Sequence, residues 1–133
     1  MSFEITSLAA KDTFTLELNN INGDPILGED GTPLSVTVYG PGSKAYAKAN
    51  ALRAQKMLER NARNGKNKMS VEDFQRENAK FLAACTVSFN GWTYQGKADA
   101  AAIEAAYGDP SIGFIAQQVD SAISDWANFT NNA

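Results

Sequence analysis

The chain has 133 residues, enough for one domain with a modest core, since a domain of this size buries about two-thirds of the surface its unfolded chain exposes. Hydrophobic residues make up 44% and charged residues 20% of it, an ordinary globular balance that excludes a fibrous class and wholesale disorder. Twelve Lys and Arg against fifteen Asp and Glu give a formal net charge of -3, which speaks against nucleic acid as the main partner because phosphate binding needs a basic face.

In chain order, Phe14, Leu16 and Leu18 alternate with Thr and Glu in "TFTLEL", the two-residue period of a half-buried strand. The Asn-, Gly-, Asp- and Pro-rich stretch 19–33 follows, with Asp30-Gly31 as a turn signal and Ile26-Leu27 as a possible short strand. Alternation resumes through Leu34, Val36 and Val38. Residues 1–40 are therefore expected to form a small antiparallel hairpin or meander.

Pro41-Gly42 ends the sheet, and Ser43 is the expected N-cap of a helix from Lys44 to about Arg63. On it Ala45, Ala49 and Leu52 line one edge, and Ala47, Ala51, Ala54 and Leu58 line another. The basic residues crowd here: eight of the twelve lie between residues 44 and 68. They read as a solvated face, with docking to an acidic partner and intra- or intermolecular charge pairing as alternatives.

Asn64-Gly65 suits a left-handed helix end, and Ser70 an N-cap for a second helix. Val71, Phe74, Asn78, Phe81, Leu82 and Cys85 should share its inner face, with Cys85 as a buried packing residue. "TVSFNGWTYQG" (86–96) reads as a second short hairpin or tight loop about Asn90-Gly91, with Trp92 and Tyr94 packing. Asp99 caps an Ala-rich helix to Tyr107, and Asp109-Pro110 opens a last helix, 109–129. Its stripe of Ile112, Ile115, Val119, Ala122 or Ile123, and Trp126 is expected to be mostly core, leaving Phe114 and Phe129 at the margins as contact candidates. The tail 130–133 is polar. The expected fold is thus α+β: one domain over 1–133, β-rich over 1–40, mainly helical over 43–129 with about four helices.

Histidine is absent, which removes the commonest general base and metal ligand. The adjacent pairs Glu29/Asp30 and Glu72/Asp73 point in different directions and read as a turn and a helix start. Cys85 is the only cysteine, so neither an intrachain disulfide nor a thiolate cluster can form, and a reducing compartment fits. No phosphate-binding loop, dinucleotide fingerprint or serine-nucleophile elbow occurs. The expectation is a non-enzyme with no cofactor and no metal, without a signal peptide or membrane span and located in the cytoplasm. It would work by binding.

"EDGTPLSVTVYGPGSKAYAKA" (29–49), "LAACTVSFNGW" (82–92) and "YGDPSIGFIAQQVDSAISDWANF" (107–129) together resemble tail assembly chaperones of long-tailed bacteriophages. The first matches a passage from β-hairpin to helix, the second a helix-to-loop passage into a Trp turn. The third matches a C-terminal pattern with a D-P start, a Q-V-D centre and an N-F end. "SFNGW" lacks the acidic residue that some members carry before that turn, and residues 1–28 match only as a generic β segment.

The resemblance implies a non-enzymatic protein of the infected host's cytoplasm that coats the tape-measure protein, keeps it soluble, helps recruit tail-tube protein and is absent from the mature virion. In many relatives a frameshift appends a second domain. A virion structural protein, such as a tail-tube or head-tail joining subunit, is the alternative. A holdase for a helical partner needs exposed apolar strips, assigned here to Phe114, Trp126, Phe129 and the face of Ala47, Ala51, Ala54 and Leu58. Self-association through an edge strand is a further expectation.

Overall fold

In the computed structural model, which describes residues 4–63 and 71–130, strands β1 (Thr13–Glu17), β2 (Ser35–Tyr39) and β3 (Thr86–Asn90) form one antiparallel sheet in the order β1-β2-β3. Helices α1 (Lys44–Arg63) and α2 (Val71–Ala84) separate β2 from β3, and α3 (Ala100–Tyr107), α4 (Gly113–Ser124) and the short α5 (Ala127–Thr130) complete the chain. The α+β class is as expected. The helix break at 64–68, the Asn64-Gly65 cap, Ser70 and the last three tail residues lie outside the described residues.

The alternating strand pattern places one apolar face inward. Phe14 pairs with Val38 and Leu16 with Val36, and Val36 pairs with Phe89 on the other side. Val36, Val38 and Leu18 are fully buried. The opposite face is a hydroxyl and amide ladder: Thr15 Oγ1 lies 3.1 Å from Thr37 Oγ1, and Asn90 Nδ2 donates to Thr37 Oγ1 at 3.0 Å and Ser35 Oγ at 3.2 Å.

This sheet corrects the reading of residues 86–96. "TVSFN" does not fold back across Asn90-Gly91; it adds to β2 as a third strand, with an irregularity between Thr37 and Val38. Backbone pairing beside β2 satisfies more N–H and C=O groups than an isolated two-stranded hairpin. Trp92 then stacks on Phe89 at 3.8 Å between centroids and donates its indole N–H to the Ser35 carbonyl at 3.0 Å, so it packs, as expected.

The caps are local. Ser43 Oγ accepts from the Tyr46 N–H at 3.1 Å and donates to the Gly40 carbonyl at 2.7 Å; Asp99 accepts from the Ala102 N–H at 2.9 Å. A stronger long-range tie comes from Gln118, whose side-chain amide accepts from the Asn19 N–H at 2.8 Å and donates to the Asn19 carbonyl at 2.7 Å. It pins α4 to the loop between β1 and β2. Val119, Ala122 and Ile123 of α4 enter the core with Leu82, Ile103 and Tyr107.

The single helix expected over 109–129 is three pieces: a 3-10 turn at Pro110–Ile112, then α4 and α5. Asp125 takes an extended conformation, and its carboxylate accepts from the Ala127 N–H at 3.0 Å. That side-chain bond offers the backbone an alternative to continuing the helix. The break reverses the expected roles of two aromatics: Phe129 is 1% exposed and Trp126 is 54% exposed.

Candidate partner-binding surface

The expected contact residues fall into three groups. Ala47, Ala51, Ala54 and Leu58 all lie on the solvent side of α1 and are exposed, Leu58 at 69%. Trp126 is exposed just after α4, and Phe114 is half-buried within it. Phe129 cannot belong to a contact surface: its ring is enclosed, edge-on to Phe14 at 5.8 Å and against Gly40. The Trp126 ring lies beside Gly42, just ahead of α1, where a β-carbon would come 3.4 Å from it, whereas Phe114 is carried by α4 and Leu58 stands toward the far end of α1.

The other side of α1 explains why its outer face is open. At 100° per residue Tyr46, Ala49 and Arg53 share a side, and they meet Phe81 of α2. Tyr46 and Phe81 pack edge-to-face at 5.5 Å, and the Arg53 guanidinium sits 3.8 Å over the Phe81 ring. The small, buried Ala49 beside them leaves room for this approach; a cation over a ring adds to it. A shallow groove of ≈ 50 Å³ between the helices is lined by Leu52, Lys56, Lys80 and Ala84 beside these residues.

Sequence periodicity placed Val71 and Phe74 on the buried face of α2, but they are exposed at 74% and 62%. Phe74 shares the α1-facing flank with Phe81, and only Phe81 is covered by Tyr46 and Arg53. Leu52 and Met57 are also exposed. These four apolar side chains were missed as surface candidates, whereas Leu58, exposed as well, was among the expected ones. A periodic stripe shows which residues share a face, not how far along the helix a neighbour extends.

Burial and hydrogen bonds shift several of the polar groups. The Cys85 thiol, buried in the core, is pushed up to about 11 by desolvation, which outweighs the opposing charge of Arg53. Tyr107 is likewise raised by burial, and its hydroxyl lies 2.6 Å from Thr86 Oγ1. Asp109 accepts from the Ser111 hydroxyl at 2.7 Å, the Ser111 N–H at 2.9 Å and the Tyr94 hydroxyl at 2.9 Å. Those bonds hold its carboxyl below the usual aspartate range, and the same carboxylate raises Tyr94.

Among the described residues no cluster of three or more Cys, Asp or Glu side chains is placed to hold a metal ion, and no helix is long and apolar enough to cross a membrane. Nor does any buried side-chain nitrogen or oxygen there lack a hydrogen-bond partner. No family model matches the chain, and no curated protein or solved structure is significantly similar to it.

Proposed function

We propose that this chain is a tail assembly chaperone of a long-tailed bacteriophage, a non-enzymatic protein that holds the tape-measure protein in soluble form and helps recruit tail-tube subunits. Its proposed place of action is the cytoplasm of the infected host. The resemblance of 29–49, 82–92 and 107–129 to that family supports the reading at sequence level. The observation that carries it physically is the two-helix unit α1–α2, which leaves Leu52, Met57, Leu58, Val71 and Phe74 exposed in addition to Ala47, Ala51 and Ala54. Such a surface fits an amphipathic helical partner bound by many weak apolar contacts.

Co-expression with the tape-measure protein of the same phage genome, followed by affinity purification through a tag on this chain, tests the proposal. Tape measure in the eluate, and in the pellet when this chain is omitted, supports it. Leu58→Asp and Phe74→Asp should abolish recovery while the variants stay folded. A tape measure that is insoluble with or without the chain and never co-elutes overturns it.

A further inference from the structure

The two flanks of α2 carry opposite charge. On one, the α1–α2 groove is rimmed by Arg53, Lys56 and Lys80 against the single acid Glu77. Lys44, Lys48, Leu52 and Lys56 recur at every fourth residue of α1, so they form one stripe along the helix. On the other flank, clefts of ≈ 180 Å³ and ≈ 400 Å³ adjoin at Gln75 and Gly108. Their charged lining is Glu72, Glu104, Asp109 and Asp120 against Arg76.

Sequence totals show the same division: residues 44–68 hold eight of the twelve cations and only Glu59 of the fifteen acids, which leaves four cations and fourteen acids elsewhere. α2 stands between the two surfaces, so they cannot meet within one molecule.

We propose that α1 of one copy docks in the acid-lined clefts between α2, α3 and α4 of a second copy. A second copy is the occupant because both halves of the charge complementarity lie on this chain, on opposite sides of one helix. The clefts are polar and have room for lysine ammonium groups, and Leu52 in the middle of the basic stripe adds an apolar contact. The contact is heterologous, one face meeting a different face, so copies add head to tail into rings or filaments and do not stop at a symmetric dimer. Opposite charges at a solvated interface also make it salt-sensitive. No tape measure is required, so this proposal and the chaperone reading fail independently.

Sedimentation velocity of the purified full chain tests it, at about 20 mM and about 500 mM salt and up to about 100 µM protein. Two charge-reversed variants are compared with it: Lys44→Glu/Lys48→Glu on the basic face and Glu104→Lys/Asp120→Lys on the acidic one, all four side chains being exposed. The unaltered chain should grow beyond a dimer at low salt and return to monomer at high salt. Each variant alone should weaken association by at least about tenfold. Their equimolar mixture should assemble again, because the new glutamates of one meet the new lysines of the other.

If either double variant loses its helical circular dichroism, Lys48→Glu and Asp120→Lys singly take its place. A chain that stays monomeric at low salt, growth that stops at a dimer, or association that either variant leaves intact overturns the proposal. Binding of a 20-base-pair DNA duplex in place of self-association, at about 20 mM salt, would assign the basic stripe to nucleic acid and also overturn it.

Discussion

The Phe129 ring occupies the space a side chain at Gly40 would need: a β-carbon there would come 2.6 Å from Phe129 Cγ. The contact joins the last helical turn to the end of β2, and Lys11 reinforces it by donating its backbone N–H to the Phe129 carbonyl at 2.7 Å. Gly40→Ala should therefore destabilise the fold by about 1–3 kcal/mol through overpacking. Urea unfolding checks this, and a midpoint equal to that of the unaltered chain would show that the ring can move aside.

Phe129→Ala and Trp126→Ala should differ sharply although the residues are three apart. The first empties a core site and should cost about 3–5 kcal/mol. The second removes a ring that is largely in solvent while leaving the Trp126 carbonyl to accept from Phe129 and Thr130, so its cost should stay below about 1.5 kcal/mol. Thermal unfolding followed by circular dichroism separates the two.

Arg53 over Phe81 should appear as a coupling energy. A double-mutant cycle with Arg53→Gln and Phe81→Leu should return about 0.5–1 kcal/mol of interaction. Chemical denaturation of the four proteins measures it. Strict additivity would show that Arg53 contributes through its aliphatic stem alone.

The thiol of Cys85 should be inert while the chain is folded. Burial raises it to about 11, so the thiolate that reacts is scarce at neutral pH and enclosed as well. Labelling by a thiol reagent should proceed at the unfolding rate and accelerate with urea in step with the loss of helical signal. A raised acid stabilises the fold below its ordinary value and loses that contribution as pH climbs, so the Cys85 share of alkaline destabilisation should set in from the usual thiol value and level off near pH 11, while Tyr107, raised by burial too, goes on losing stability above it. Cys85→Ala should remove that component of the alkaline loss.

Asp109 acts at the opposite end of the pH scale. Its carboxyl is held low by the Ser111 hydroxyl first, then by the Ser111 N–H and the Tyr94 hydroxyl. A depressed acid contributes stability above the ordinary aspartate value and loses it as pH falls through the folded value. Asp109→Asn should thus lower the thermal midpoint at neutral pH, and the gap from the unaltered chain should close as the solution is made strongly acid. A gap independent of pH would mean that geometry alone, not charge, holds the 3-10 turn.

Local chemistry was enough for most elements. Alternation in 13–18 and 34–40, the hydroxyl of Ser43, the carboxylate of Asp99 and the Ala-rich run of 44–63 each act within a few residues, so β1, β2, α1 and α3 could be read directly from the chain. It also determined the class, α+β, and that Ala47, Ala51, Ala54 and Leu58 share one side of α1, because helix pitch fixes which residues align; that this side faces solvent followed from the packing of Tyr46 and Arg53 on Phe81. What the chain alone could not decide were outcomes of competition between distant groups. β3 joined β2 across two helices because the sheet edge offered partners that a local hairpin did not. Phe129 turned inward and Trp126 outward because Asp125 ended α4 at the position where Gly40 left room for a ring. Val71 and Phe74 are exposed although the period sets them with Phe81 and Leu82, which are buried. Periodicity assigns side chains to a face of their own element; whether that face is covered depends on where other elements stop, and only the tertiary packing decides that.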